Sequence, residues 1–301
     1  MTNMEQWNAT YGIAGQVVFT SGKGVMPVVE ISNELARASI ALQGAHVLDY
    51  KAAGQEPLIW MSHDATFAPG KSLRGGVPIC WPWFGPHASD PDLPGHGPAR
   101  TVNWAPVASR SCDDGSTQLS FELTQNDQVR EQCGHQLSVQ LHVNIGSSLT
   151  LVLETTNLGS ESFTLGEALH TYFKVSDVRQ ARIEGLGDCE YIDKVDGGKL
   201  KQQHGAVDID AETDRIYLGT DESYRIIDPV MGRSIDIRAE GSASVVVWNP
   251  WLETAAKMGD LGEDGYLHML CVETTNAADD VVQLAPGASH RLVASYSSAA
   301  L

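Results

Sequence analysis

Positive charge is scarce in this chain of 301 residues: 20 lysines and arginines stand against 38 aspartates and glutamates, a net charge of -18. A field of that sign repels nucleic acid and anionic membrane, so neither is an expected partner. It also disfavours anionic substrates, except where basic residues are gathered locally. Cysteine is nearly as uninformative. Cys80, Cys112, Cys133, Cys189 and Cys271 are scattered and odd in number. No CxxC or CxxxxH spacing suggests zinc, and no framework suggests a secreted disulfide scaffold. They read as reduced thiols of a cytoplasmic protein. No stretch approaches the ~20 apolar residues of a membrane span. The opening Met1-Thr2-Asn3-Met4-Glu5-Gln6-Trp7 lacks the basic region and apolar run of a secretion signal. The glycines match neither a Walker loop nor GxGxxG, and Gly-x-Ser-x-Gly and His-Glu-x-x-His are missing. Long amphipathic helical periods are missing too; Trp251 to Met258 is the best candidate, at a turn or two.

What the chain has instead is alternation. Leu137, Val139, Leu141, Val143 and Ile145 are apolar and the residues between them polar. After Gly146-Ser147-Ser148 the pattern resumes at Leu149, Leu151 and Leu153, which predicts two strands joined by a tight turn, each with one face buried. Further strands are expected from Phe163, around Ile226-Ile227, over 234–238 and 244–248, and from Gln283 to Tyr296 with a break at Pro286-Gly287. At 42% hydrophobic the chain can bury a large core. With no linker composition in sight, residues 1–301 read as one all-β domain of antiparallel strands in packed sheets.

Three regions carry residue types suited to chemistry. In Leu169-His170-Thr171-Tyr172-Phe173, strand geometry turns Leu169, Thr171 and Phe173 to one face and His170 and Tyr172 to the other. In Cys271-Val272-Glu273, a glutamate ends an apolar run, where burial or a neighbour can shift its pKa. A histidine and a glutamate brought together in a cleft make a general acid and a general base. The third region, Leu73-Arg74-Gly75-Gly76-Val77-Pro78-Ile79-Cys80-Trp81-Pro82-Trp83-Phe84-Gly85, is too rich in glycine and proline for a long helix. Trp81, Trp83 and Phe84 either present flat faces to a sugar ring or pack the core. Gly95-His96-Gly97-Pro98-Ala99-Arg100 sets a second arginine in a glycine-rich turn. Arg74 and Arg100 together can form a positive island for phosphate or carboxylate, to which Lys71 and Lys257 can add. The alternative is two separate structural salt bridges.

The third region, taken with His96-Gly97-Pro98-Ala99-Arg100, Leu169 to Phe173, Glu212-Thr213-Asp214-Arg215-Ile216-Tyr217 and Cys271-Val272-Glu273-Thr274-Thr275-Asn276, resembles the hexose-6-phosphate mutarotases. These glucose-6-phosphate 1-epimerases are a branch of the aldose 1-epimerase superfamily. Pro98 is a departure, since the family more often carries an aromatic there. The resemblance implies a galactose mutarotase-like β-supersandwich of antiparallel sheets, with no metal or organic cofactor. It implies that His170 and Glu273 are the catalytic pair, that Arg74 and Arg100 bind phosphate, that Asp214 contacts sugar hydroxyls and that His96 lies in a substrate loop. An ionised Glu273 would take the anomeric hydroxyl proton while a protonated His170 gives one to the ring oxygen, with Asp214 or Asp177 favouring the imidazolium. The expected partner is then a phosphorylated hexose, glucose 6-phosphate first, acted on by a monomeric chain. Read from the residues themselves, other functions stay open. They are mutarotation of free aldoses, glycoside hydrolysis with Asp214 and Glu273 as the two carboxylates, and a non-catalytic carbohydrate-binding or regulatory protein.

Overall fold

A computed structural model describes residues 3–124 and 127–301, so Met1 and Thr2 of the N-terminal reading lie outside the described residues. Among those described, the strands form antiparallel sheets of nine, eight, four and two. The nine-stranded sheet contains the hairpin expected from alternation. Leu137–Ile145 pairs with Leu149–Asn157, Ile145 opposite Leu149, around the turn at Gly146. Every second side chain along both strands is buried, as a period of two demands. Ser223–Asp228, Arg233–Glu240 and Ser289–Ala300 extend the sheet where strands are predicted, and Val282–Leu284 precedes the Pro286-Gly287 break.

The eight-stranded sheet carries the candidate residues. Its order runs from Lys199–Gln202 through Glu190–Asp193, Thr213–Leu218, Ser244–Asn249, Met269–Asn276 and Glu167–Leu169 to Ile79–Cys80. Tyr172–Lys174 also pairs with Met269–Asn276. The two large sheets share one core, in which Leu169, Phe173, Val245, Val247, Leu270 and Val272 meet Leu141, Leu151 and Tyr296. Each such side chain, wholly withdrawn from water, contributes roughly 1.5–3 kcal/mol. Because successive strand residues alternate, this burial turns Cys271 and Glu273 to the sheet's opposite face.

Helices are short. Trp251–Met258 forms where the sequence suggests it. The Asn249 side chain accepts the Trp251 N–H at its start, and Gly259 (φ 72°) ends it in the left-handed conformation. Asn3–Tyr11 is a helix the sequence does not announce. It buries no residue fully, and is held by Trp7 against Phe19 and by a two-way bond between the Asn8 amide and the Phe19 backbone.

One buried carboxyl has a measurable consequence. Glu167 accepts a hydrogen bond from the Thr155 hydroxyl, which in turn accepts from Trp81 Nε1. Burial pushes the Glu167 carboxyl up to about 8 from 4.5. Between those values the folded chain keeps a proton that the unfolded chain has lost. The group's share of stability is therefore full below its unfolded pKa and is lost as pH rises toward its folded one. In thermal melts, Glu167→Gln is expected to lose less stability than wild type between about pH 5 and about pH 8. Parallel declines in the two proteins would contradict this assignment.

Candidate active site

Register brings the candidate pair together. Leu169 pairs with Thr274 and Tyr172 with Cys271 on the same neighbouring strand, so His170 falls opposite Glu273. Side chains directly opposite on one face of a sheet are within contact distance. The sequence suggests one continuous strand here, but the chain breaks between Glu167–Leu169 and Tyr172–Lys174. The His170 N–H donates to the Pro78 carbonyl and the Thr171 N–H turns back onto the Leu169 carbonyl. The facing is nevertheless as alternation predicts. Leu169, Thr171 and Phe173 enter the core, and Tyr172 packs with Trp60 and Cys271 on the other side.

His170 Nε2 stands 3.3 Å from Glu273 Oε1, with the side chains only 12% and 1% exposed. The contact is out of line for a hydrogen bond: both Glu273 oxygens and His170 Nδ1 are buried without a hydrogen-bond partner. Buried polar atoms are seldom left so, and those in a cleft mark a place where a polar ligand can supply the missing bonds. The His170 ring stacks on Tyr172 (5.0 Å between centroids, 12° between planes) and meets Trp248 and His96 edge-on, each at 5.9 Å.

In the chain alone, electrostatics disfavours a charged histidine beside a charged glutamate. Burial pulls the His170 imidazole well below 6.5, and His96, Arg100 and Arg74 add to that. Burial pushes the Glu273 carboxyl well above 4.5, Asp214 adds to that and Arg100 opposes it. Left to themselves the two favour neutral forms, with the shared proton on the carboxyl. Asp177 does not favour the imidazolium; it is engaged by the Arg179 guanidinium, at 2.6 Å, instead.

Arg74 and Arg100 both act electrostatically on His170, yet they differ in their partners. Arg74 Nε donates to Asp260 Oδ1 at 2.9 Å and its Nη1 to the Tyr172 hydroxyl at 3.1 Å. The Arg74 loop sits on His46, whose Nε2–H donates to the Gly75 carbonyl at 2.8 Å. Gly76, at φ 71°, is required there, because a Cβ would collide with the His46 ring. Arg100 Nη2 donates to the Gly95 carbonyl, and among the described residues no carboxylate pairs with it. Of the two structural salt bridges weighed as the alternative, only that of Arg74 is therefore present. Lys71 and Lys257 are exposed; the further cation whose charge reaches the cleft is Lys194, acting on His96 and Asp214.

His96 adopts φ 67°, unusual for a residue with a side chain, and frequent where a loop aims a functional group. Its Nδ1 accepts the Gly85 N–H, which leaves the ring proton on Nε2 as a donor. Burial pulls its imidazole down to about 3, with Arg100 and Lys194 adding to that, so it stays neutral. Asp214 is opposite Trp248 in register, and Trp248 opposite Cys271, so all three share the floor of the cleft. Burial pushes the Asp214 carboxyl up while Lys194 opposes.

The aromatics divide between the two alternatives. Trp81 is fully buried with its Nε1 bonded to Thr155, and cannot face a sugar. Trp83 is half-buried and donates to the Pro94 carbonyl. Phe84 does join the cleft face, beside Ile216, Val246 and Trp248. Sequence reasoning missed Tyr172, Trp248, Asp260 and Lys194 as site residues. Alternation does mark Tyr172 as sharing His170's face; the other three come from distant strands and loops, and only the fold assembles them. A cavity of about 910 Å³ lies against Trp60, lined by Val28, Leu48, Ile59 and Phe67, but no candidate residue borders it.

The anomeric oxygen and the ring oxygen of a sugar are bonded to one carbon. Carriers 3.3 Å apart can therefore reach both oxygens at once. The comparisons agree with that chemistry. The aldose 1-epimerase family model matches residues 27–297. A protein of Escherichia coli (strain K12) named "Putative glucose-6-phosphate 1-epimerase" is 37% identical over 255 residues, 84% of either chain. The crystal structure of a "putative mutarotase (YeaD)" from Salmonella typhimurium superposes with a TM-score of 0.90 at 33% identity, covering 99% of this chain and 100% of that one. A galactose mutarotase-like protein from Lactobacillus casei shares the fold, with a TM-score of 0.72 at 14% identity over 90% of this chain and 100% of that one. Among the described residues no helix is long and apolar enough to cross a membrane. The chain belongs to the aldose 1-epimerase family and is an isomerase of the epimerase class.

Proposed function

We propose that this protein interconverts the α and β anomers of a hexose 6-phosphate, glucose 6-phosphate foremost, by acid–base opening and closure of the ring. The observation that carries the reading is the buried pair at 3.3 Å, within the field of two arginines. Glu273 takes the proton of the anomeric hydroxyl, the C1–O5 bond breaks as C1=O forms, and His170 gives a proton to O5. Rotation about C1–C2 presents the other face of the aldehyde, and closure runs the two transfers in reverse. Arg74 and Arg100 hold the phosphate, Asp214 accepts from sugar hydroxyls, and His96 donates from Nε2.

The neutral resting pair fits this sequence of steps. A protonated Glu273 beside a neutral imidazole holds the same number of protons as a carboxylate beside an imidazolium. A phosphate dianion on Arg74 and Arg100 offsets the electrostatic part of His170's depression, of which burial is the larger cause. Residues 1–301 are taken as one domain acting as a cytoplasmic monomer. Support for the single domain comes from a core cluster spanning Val17 to Tyr296, and for the reducing compartment from five unpaired cysteines.

The test is anomer exchange by NMR on glucose 6-phosphate beside free glucose and galactose. The expected result is exchange well above the buffer rate for the phosphorylated sugar, and much less for the free ones. Faster turnover of the free sugars would move the assignment to a free-aldose mutarotase. No exchange on any of them would favour a sugar-binding or regulatory role.

A further inference from the structure

Cys271 takes no part in the proton transfers, yet its buried side chain lies on the same face of the sheet as the pair. It is two residues from Glu273 on one strand, so both side chains leave the same face. One donor atom from each of His170, Cys271 and Glu273 lies within 4.8 Å of the other two. Cys271 and Glu273 are fully buried, and both carboxylate oxygens lack a hydrogen-bond partner. A thiol, an imidazole and a carboxylate are the donors that zinc-class ions prefer, and three of them leave a fourth position open.

We propose that Cys271, His170 and Glu273 form an inhibitory site for a thiophilic divalent cation of the zinc class, which excludes the sugar by capturing both proton carriers. Tetrahedral bonds of about 2.0–2.3 Å set ligand atoms roughly 3.4 Å apart, so the triad closes by a modest side-chain rotation. Coordination replaces the thiol proton of Cys271 and the carboxyl proton of Glu273; both pass to solvent, and no electron changes hands. Thiolate and carboxylate together balance the dication. Arg74 and Arg100 oppose any cation, which leaves weakly sulfur-binding ions such as magnesium and calcium excluded. The metal site stands on its own geometry; its inhibitory effect rests on the proposed roles of His170 and Glu273.

The experiment titrates Co²⁺ into the full chain held reduced by a phosphine. One equivalent is expected to produce the visible bands of tetrahedral cobalt and a near-ultraviolet thiolate-to-cobalt band. Both should vanish in Cys271→Ala, and in wild type preloaded with glucose 6-phosphate. Zinc should inhibit anomer exchange competitively with the sugar phosphate. Cys271→Ala, with its basal exchange intact, should need more than about tenfold more zinc, since even an outer-shell partner is worth 10- to 100-fold in affinity. Should the alanine variant misfold, Cys271→Ser removes the thiolate with least change in shape and must lose the same band. Absence of the thiolate band in wild type, or its persistence without Cys271, would overturn the site; its indifference to glucose 6-phosphate in a protein that does exchange the anomers would overturn the inhibition. The cobalt spectrum without any anomer exchange would leave the metal site standing and remove the proposed function. Exchange without the spectrum would do the reverse.

Discussion

Replacing Glu273 by Gln, or His170 by Ala, is expected to lower kcat for glucose 6-phosphate by about 10²- to 10⁴-fold, with a far smaller change in KM. Glutamine keeps the shape of the carboxyl but neither gives nor takes the proton. Both side chains are buried, so bulk water is poorly placed to substitute for either. Because the two act on one bond-breaking event, the double variant should be little slower than the worse single one. Single-turnover or saturating steady-state rates check this. Losses that multiply in the double variant would mean that the residues act in separate steps.

The second large effect concerns the phosphate. Removing both Arg74 and Arg100 is expected to cost about 10²- to 10³-fold in kcat/KM for glucose 6-phosphate, while free glucose changes little. The two single variants should differ in kind. Among the described residues the Arg100 side chain hydrogen-bonds to the Gly95 carbonyl and pairs with no carboxylate, so Arg100→Ala should raise KM alone. Arg74 also fixes Asp260 and the Tyr172 hydroxyl, and Tyr172 stacks on His170. Arg74→Ala should therefore lower kcat as well. Added salt should weaken sugar-phosphate binding in wild type and much less in the double variant. An unchanged preference for the phosphorylated sugar in the double variant would contradict the anion site.

Much of this was legible before any coordinates, because alternation is a strong signal in a chain built of two-faced strands. The turn at Gly146, the core face of Leu169, Thr171 and Phe173, and the short helix at Trp251 follow from period and turn chemistry alone. The pairing of His170 with Glu273 was legible only through the family resemblance, since strand register between segments a hundred residues apart leaves no local trace. For Trp81 the sequence left both alternatives open, and the structure takes the core-packing one, with its Nε1 bonded to Thr155 on another strand. Protonation was out of reach too. Composition cannot say that burial would drive both His170 and Glu273 toward neutrality, with two arginines reinforcing this at His170 and Arg100 opposing it at Glu273. Lys194 and Asp260 carry no motif at all, and reach the cleft through the strand order and the Ser62 hydroxyl, which bonds the Asp260 carbonyl.

The most direct measurement is saturation-transfer NMR between the α and β anomers of glucose 6-phosphate, with wild type, His170→Ala and Glu273→Gln at equal concentration. The account predicts fast exchange with wild type and near-buffer exchange with either variant, all three folded by circular dichroism. Equal exchange in the three proteins would contradict it.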